Sequence, residues 1–128
     1  MSTPDDATTV QELKDLVRRF VEERDWDQFH TPKDLAIGLS VEAAELLEHF
    51  RFRTNDEVAA RLQDPERRAT IGHELADVLY FVLLMSANNG YDVTTTLRDK
   101  LEQSARKYPV DTARGVNEKY TDLPTDRA

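Results

Sequence analysis

Two stretches of sequence decide the fold of this chain: Leu39-Ser-Val-Glu-Ala-Ala-Glu-Leu-Leu47 and Ile71-Gly-His-Glu-Leu-Ala-Asp-Val-Leu79. Each stretch carries two acids three residues apart in a largely apolar run, Glu42 with Glu45 and Glu74 with Asp77. Residues at i and i+3 are neighbours on the surface of an α-helix, so each pair forms one platform of two carboxylates. The spacing therefore predicts two apolar helices that each present an acidic pair.

The rest of the chain continues this helical pattern and contains no convincing strand. Residues suited to helix N-termini precede several of the helical segments, as Thr31-Pro32 and Asp64-Pro65 do. The predicted helices run over about 10–24, 32–50, 66–87 and 93–107, with an optional short helix at 56–62. The pattern predicts an all-α fold built as a four-helix bundle. We expect residues 1–9 to be disordered, residues 10–110 to form the helical domain, and residues 111–128 to form a partly irregular C-terminal extension.

The segment from Val78 to Met85 is apolar on every side of its predicted helix. A helix of this kind is buried on all sides, and a four-helix monomer of 128 residues hardly surrounds one of its own helices. We therefore expect a second subunit to cover part of this helix, in a homodimer or a homotetramer that completes the bundle.

The composition excludes several classes of function. The chain has no cysteine, so disulfides, zinc–thiolate sites and cysteine nucleophiles are absent. Its net charge is −8. The negative charge disfavours binding to nucleic acid or to an anionic membrane. No signal peptide is visible, and the apolar run from Val78 to Met85 is shorter than the ~20 residues that span a bilayer. We expect a cytoplasmic protein that binds neither nucleic acid nor membrane.

The four acids together indicate a metal site. Acids are seldom buried unless they are paired or bound to a cation. Oxygen ligands favour Mg²⁺, with Mn²⁺ as a substitute. Because Mg²⁺ is usually shared with the phosphates of a substrate, a phosphorylated substrate is expected. Solvated acidic helix faces are the alternative, whereas a di-iron site is disfavoured because the chain has no Glu-x-x-His motif.

A longer pattern joins the acidic pairs to flanking segments. Glu42-x-x-Glu45, 28 further residues and Glu74-x-x-Asp77 form an arrangement that resembles the MazG-like all-α nucleoside triphosphate pyrophosphohydrolases. The flanking segments are Glu23-Arg-Asp-Trp-Asp-Gln-Phe-His-Thr-Pro-Lys-Asp-Leu35, Lys107-Tyr-Pro-Val-Asp-Thr-Ala-Arg114 and Lys119-Tyr-Thr-Asp-Leu123. They are similar to segments of the dCTP pyrophosphatase branch, and the resemblance spans about residues 10–123.

The resemblance implies Mg²⁺-dependent hydrolysis of a nucleoside triphosphate to the monophosphate and pyrophosphate. The expected substrate is dCTP or a modified dCTP, and the expected role is cleansing of the nucleotide pool. By their positions in the motif, the metal ligands would be Glu42, Glu45, Glu74 and Asp77, and we select Glu45 as the residue that activates the attacking water.

The resemblance also implies where the substrate binds. The contacts to phosphate would come from Lys100, Ser104 and Lys107, and the contacts to the nucleoside from Trp26, His30, Phe52 and Phe81. This chain has Ser104 where family members often carry Asn, Phe52 where the branch tends to carry a larger aromatic, and Phe81 where related enzymes carry Tyr. These departures would broaden the selectivity for base or sugar.

Two alternatives stay open. The first is a pyrophosphohydrolase of broader NTP and dNTP specificity, or one that prefers dUTP. The second is a non-catalytic acidic helical adaptor that acts as an oligomer. An adaptor has no need for acidic pairs inside apolar helices, so the position of these acids favours the enzyme.

Overall fold

The computed structural model describes residues 2–124, which fold into helices and connecting turns without a strand. This confirms the predicted all-α class. The helices are α1 (Pro4–Ala7), α2 (Val10–Glu22), α3 (Pro32–Glu48), α4 (Asn55–Gln63), α5 (Pro65–Asn88), α6 (Val93–Lys107) and α7 (Val110–Ala113), with short 3₁₀ turns at Asp27–Phe29 and Tyr120–Asp122. The four predicted main helices correspond to α2, α3, α5 and α6, and the optional short helix corresponds to α4.

Local capping sets where the helices that carry the acids begin. The Thr31 side chain accepts a hydrogen bond from the Asp34 amide at 3.2 Å, with Pro32 as the first residue of α3. Asp64 does the same for α5, accepting from the Arg67 amide at 3.0 Å, with Pro65 in first position. Each cap satisfies an amide that the helix itself leaves unpaired. Because both starts are fixed locally, the phase of each acidic pair along its helix is fixed as well.

The first compact unit of the chain comprises the described residues up to Tyr91, and its main packing is between α3 and α5. Its centre is a cluster of Val21, Leu35 and Leu84, each 1% exposed. Val17, Tyr80, Phe81 and Met85 are partly buried against that cluster. Both α2 and α4 also pack on α5. α5 is therefore the helix around which this unit is organised, and it carries one of the two acidic pairs.

The apolar character of α5 is only partly used within the chain. Leu83 and Leu84 are buried, whereas Leu75 and Leu79 remain 55% and 46% exposed. By length and composition alone α5 could cross a bilayer, since it has 24 residues and an 18-residue window of mean hydropathy 1.3. The core helix of a soluble protein passes the same test, so the observation does not by itself indicate a membrane.

The remaining described residues, 92–124, form a second compact unit. α6 begins at the Asp92 cap, whose side chain accepts from the Thr95 amide at 2.9 Å. Beyond α6, the Tyr108 and Tyr120 rings meet edge to face with centroids 6.0 Å apart. The predicted domain limits at 10 and 110 stay a prediction, as does disorder at 1–9, where residues Pro4–Ala7 form a helical turn. Residues 125–128 of the predicted extension lie outside the described residues.

Candidate metal centre

The packing of α3 on α5 brings three of the four predicted ligands together. One carboxylate oxygen each from Glu42, Glu45 and Glu74 lies within 4.8 Å of the others. Glu42 and Glu74 are half-buried, and Glu45 is exposed. Oxygens this close repel one another when ionised, and a divalent cation between them removes that repulsion. The arrangement has the donor set of a Mg²⁺ or Mn²⁺ site.

Asp77 is not one of the three clustered acids, although it lies one helical turn after Glu74. It lines a groove of about 300 Å³ between α2 and α5, with Leu13, Leu16, Val17 and Tyr80 among the other lining residues. The charge of Asp77 is one of the causes that raise the pKa of Glu42, so Asp77 interacts electrostatically with the cluster. Asp77 is therefore in electrostatic range of the site, and its role as a ligand stays a prediction.

Glu42 is the acid whose protonation the cluster changes most clearly. Its pKa is raised from 4.5 to about 7. Burial of the carboxyl is the largest cause, followed by a hydrogen bond shared with Glu45 and by the charges of Glu45, Asp77 and Glu74. Without a cation, a substantial fraction of Glu42 is therefore protonated at neutral pH. A carboxyl in this condition is one that a cation would restore to the ionised form.

Two oxygens of the cluster have no partner among the described residues. Both Glu42 Oε2 and Glu74 Oε2 are buried without a hydrogen bond. A buried unpaired carboxylate oxygen is costly, because it has left water and gained no donor in return. The oxygens therefore fit a cation ligand set, which would satisfy both atoms at once.

The structure adds a residue that the sequence did not single out for this site. His49 follows α3, and its Nε2 lies 3.5 Å from Glu74 Oε1. In the sequence, His49 belongs to no Glu-x-x-His motif. Its spacing of four residues from Glu45 was the available signal, since i and i+4 side chains share a helix face. The spacing does not indicate that His49 contacts Glu74 on α5.

Trp26, the predicted base-contacting residue, lies at the edge of an aromatic cluster. Its ring meets Phe20 edge to face at a centroid distance of 5.7 Å, and Trp26 remains 43% exposed. Arg24 stacks over Phe20, with its guanidinium carbon 3.9 Å from the ring centroid. Tyr80 meets Phe20 at 6.3 Å, and burial raises the pKa of its hydroxyl while Arg24 opposes the rise. Trp26 thus offers an open ring at the edge of a packed aromatic cluster.

The other predicted nucleoside contacts lie in different settings. His30 Nδ1 is buried without a hydrogen-bond partner among the described residues. Phe52 is 91% exposed and has a positive φ of 62°, with the Arg51 guanidinium 4.8 Å from its ring centroid. Phe81 instead packs against the core cluster and against Gly38. His30 and Phe52 are available for a ligand, whereas much of the Phe81 ring is already engaged in packing.

The predicted phosphate contacts all lie on α6, in the second unit. Lys100 and Lys107 are exposed and Ser104 is half-buried. Lys100 Nζ donates to Gln103 Oε1 at 3.2 Å, and Lys107 Nζ lies 5.1 Å from the centroid of the Tyr120 ring. These contacts are weak and exposed, so both ammonium groups are free to exchange them for phosphate oxygens. The role of this face in binding phosphate stays a prediction.

Fold and site together define an all-α protein with a carboxylate cluster suited to a divalent cation. A family model described as MazG-like matches residues 37–123. The dCTP pyrophosphatase 1 proteins of Homo sapiens and Bos taurus are each 35% identical to this chain over 116 residues, covering 91% of the chain and 68% and 69% of those proteins. A solved pyrophosphatase from Archaeoglobus fulgidus is 38% identical, with a TM-score of 0.72 over 77% of this chain and 91% of that one.

The chain belongs to the MazG-like family. The matched region includes all four predicted ligands, the whole of α5 and α3 from residue 37 onward. The family resemblance inferred from the acidic pairs and flanking segments is thereby confirmed.

Proposed function

We propose that this protein hydrolyses dCTP or a modified dCTP to the monophosphate and pyrophosphate in a Mg²⁺-dependent reaction. The protein is a nucleoside triphosphate pyrophosphohydrolase, the class that its family and its similarity to dCTP pyrophosphatases support. The observation that carries the proposal is the cluster of Glu42, Glu45 and Glu74, in which two buried oxygens lack any partner among the described residues.

The acids of the cluster differ in their exposure, and we assign their roles in metal binding and proton transfer on that basis. Glu42 and Glu74, which are half-buried, would hold the cation together with Glu45, and with Asp77 one turn further along α5. When bound, Mg²⁺ would supply positive charge that offsets the charge developing on the triphosphate and would favour deprotonation of the attacking water. Glu45 is exposed, so its carboxylate can accept a proton from water at the open side of the cluster.

The remaining predicted residues would bind the substrate. Trp26 presents an exposed ring and His30 a buried unpaired nitrogen, which supports contacts to the base by stacking and by a hydrogen bond. Phe52 would add a second ring, and Phe81 would shape the pocket wall. Lys100, Ser104 and Lys107 would bind phosphate oxygens. Phe at positions 52 and 81 supports a substrate range that extends beyond dCTP.

The assembly and cellular role follow from the same proposal. Leu75 and Leu79 leave apolar surface on α5, which supports a homodimer or homotetramer. We propose residues 10–110 as the catalytic domain and residues 111–128 as its extension. Cleansing of a cytoplasmic nucleotide pool is the proposed role. A monodisperse monomer in light scattering at micromolar concentration would refute the oligomer.

The experiment that tests the proposal is a product assay on a panel of nucleoside triphosphates, with Mg²⁺ and with EDTA. Pyrophosphate release that needs Mg²⁺ and is fastest with a cytosine deoxynucleotide is the expected result. Faster turnover of dUTP or of several bases would keep the reaction and overturn the substrate. Failure to hydrolyse any nucleotide, by protein that is folded, would favour the adaptor.

A further inference from the structure

His49 lies at the contact between the two acidic helices. It caps the C-terminal end of α3, and its Nε2 is 3.5 Å from Oε1 of Glu74 on α5. Both side chains are half-buried, with 21% of His49 and 19% of Glu74 exposed. This contact joins α3 to α5 through side-chain atoms at the edge of the carboxylate cluster. It is the only contact of salt-bridge length between a histidine and an acid among the residues that the structure describes.

The two oxygens of Glu74 have different surroundings. Oε1 faces His49, whereas Oε2 is buried without a partner among the described residues. A hydrogen bond to Oε1 would restrict rotation of the carboxylate about its last bond, and would thereby set the direction of Oε2. The Nε2–Oε1 separation of 3.5 Å is a few tenths of an ångström longer than an ordinary hydrogen bond, so a hydrogen bond between them requires one of the two side chains to rotate.

We propose that His49 is a positioning residue, which holds Glu74 Oε1 so that the second oxygen of Glu74 is directed at the cation. Carboxylates that bind metals are commonly oriented by hydrogen bonds from residues that do not touch the metal, and loss of such a partner typically weakens metal affinity about 10–100-fold. This inference rests on the proposed metal site, and it adds a residue outside the four acids of the family motif.

Substitutions at position 49 can test the hydrogen-bond donor of the side chain separately from its shape. The amide nitrogen of Gln occupies about the position of His Nε2, whereas the amide of Asn is too short to reach it, and Leu offers no donor. His49 also lines a cavity of about 310 Å³ with Asp64, Glu66, Arg67 and Thr70, which leaves room for each replacement. His73 is exposed and precedes Glu74 in the sequence, so His73→Leu is a matched control.

The test is direct binding of Mn²⁺ to the full chain after removal of metal by EDTA and dialysis, without nucleotide. Free Mn²⁺ is followed by electron paramagnetic resonance. We expect His49→Leu and His49→Asn to weaken Mn²⁺ binding by about 10-fold or more. His49→Gln should stay within about threefold of wild type, because a donor at the Nε2 position is retained. His73→Leu should bind as wild type does.

The thermal stability of each variant in EDTA is measured beside the affinity, and nucleotide turnover is measured separately. Unchanged Mn²⁺ affinity in His49→Leu, or equal losses in His49→Leu and His49→Gln, would overturn the inference. If His49→Leu does not fold, the inference is tested by whether His49→Gln binds Mn²⁺ more tightly than His49→Asn does. Wild-type protein that binds no Mn²⁺ would overturn it as well. Absence of nucleotide turnover with the predicted order of Mn²⁺ affinities would refute the proposed reaction and support the role of His49.

Discussion

Gly38 on α3 and Phe81 on α5 approach so closely that a Cβ at position 38 would lie 2.6 Å from Phe81 Cζ. The Phe81 ring therefore packs directly on the backbone of α3. Gly38 precedes Glu42 by about one turn, and Phe81 follows Asp77 by about one turn. The close approach of the two helices next to the carboxylate cluster depends on the missing side chain at position 38.

Gly38→Ala is expected to destabilise the protein by about 1–3 kcal/mol, because the Phe81 ring must move away from an added methyl group. The same displacement should weaken Mn²⁺ binding, since α3 and α5 carry the ligands. The matched control is Gly72→Ala in α5, where nothing lies within 4 Å of the added Cβ. That change should stabilise the protein by about 0.5–1 kcal/mol. Urea unfolding measures the stability of both variants. Equal effects of Gly38→Ala and Gly72→Ala on stability would contradict this account.

Lys14→Met tests a second contact that holds α5 in place. The Lys14 side chain is 7% exposed and donates to the backbone carbonyl of Tyr91, just beyond the end of α5. Met keeps the apolar stem and removes the donor, so we expect a loss of about 1–3 kcal/mol. Lys33→Met is the control, because Lys33 is exposed and should change stability by less than about 0.5 kcal/mol. Similar unfolding midpoints for the two variants would argue against a role for this hydrogen bond.

The sequence predicts the helices well because their signals are local. Thr31-Pro32 and Asp64-Pro65 cap α3 and α5 as the spacing indicated. The i, i+3 spacing then places each acidic pair on one face. Two such faces on packed helices are sufficient to predict a carboxylate cluster, and Glu42, Glu45 and Glu74 do come together.

The contacts between helices are harder to predict, because they depend on how far one helix is shifted along the other. No spacing within α3 indicates that His49 reaches Glu74, or that Gly38 receives the ring of Phe81. The left-handed backbone at Phe52 is also unexpected, since a bulky residue seldom adopts it. The cluster could therefore be predicted as a set of residues, whereas its supporting contacts required the three-dimensional structure.

We expect Phe52 to lower the stability of the protein and to contribute to substrate binding. A non-glycine residue in the left-handed region costs about 1–2 kcal/mol, and a 91% exposed ring recovers little of that cost by packing. Phe52→Asn should raise the unfolding midpoint, because Asn tolerates this backbone, while KM for dCTP rises about 10-fold through lost stacking. Phe52→Ala separates the two effects, since it removes the ring and keeps the strain. A variant that gains stability at unchanged KM would show that the ring does not touch the substrate.

Glu42→Gln should stabilise the metal-free protein and abolish Mg²⁺-dependent turnover. The change removes a buried carboxylate that is repelled by Glu45, Asp77 and Glu74, and it removes one ligand. Glu48→Gln is the control on the same helix, since Glu48 is exposed and pairs with Arg51 at 3.0 Å. An exposed pair of this kind contributes little, so stability and turnover should both be nearly unchanged. Turnover by Glu42→Gln within about twofold of wild type would refute the assignment of the site.

The effect of Glu42→Gln on stability should depend on pH in a defined direction. The pKa of Glu42 is about 7 in the folded protein against an ordinary value of 4.5, so the folded state binds the extra proton between these values. Stability from this group is therefore present below pH 4.5 and is lost as the pH rises through 7. In EDTA, the unfolding temperature of Glu42→Gln minus that of wild type should grow across this window and then level off. Mg²⁺ should reverse the difference above pH 7, because it binds the ionised wild-type site and stabilises that fold by mass action. A difference that is constant from pH 5 to 8 would show that Glu42 titrates like an ordinary exposed acid.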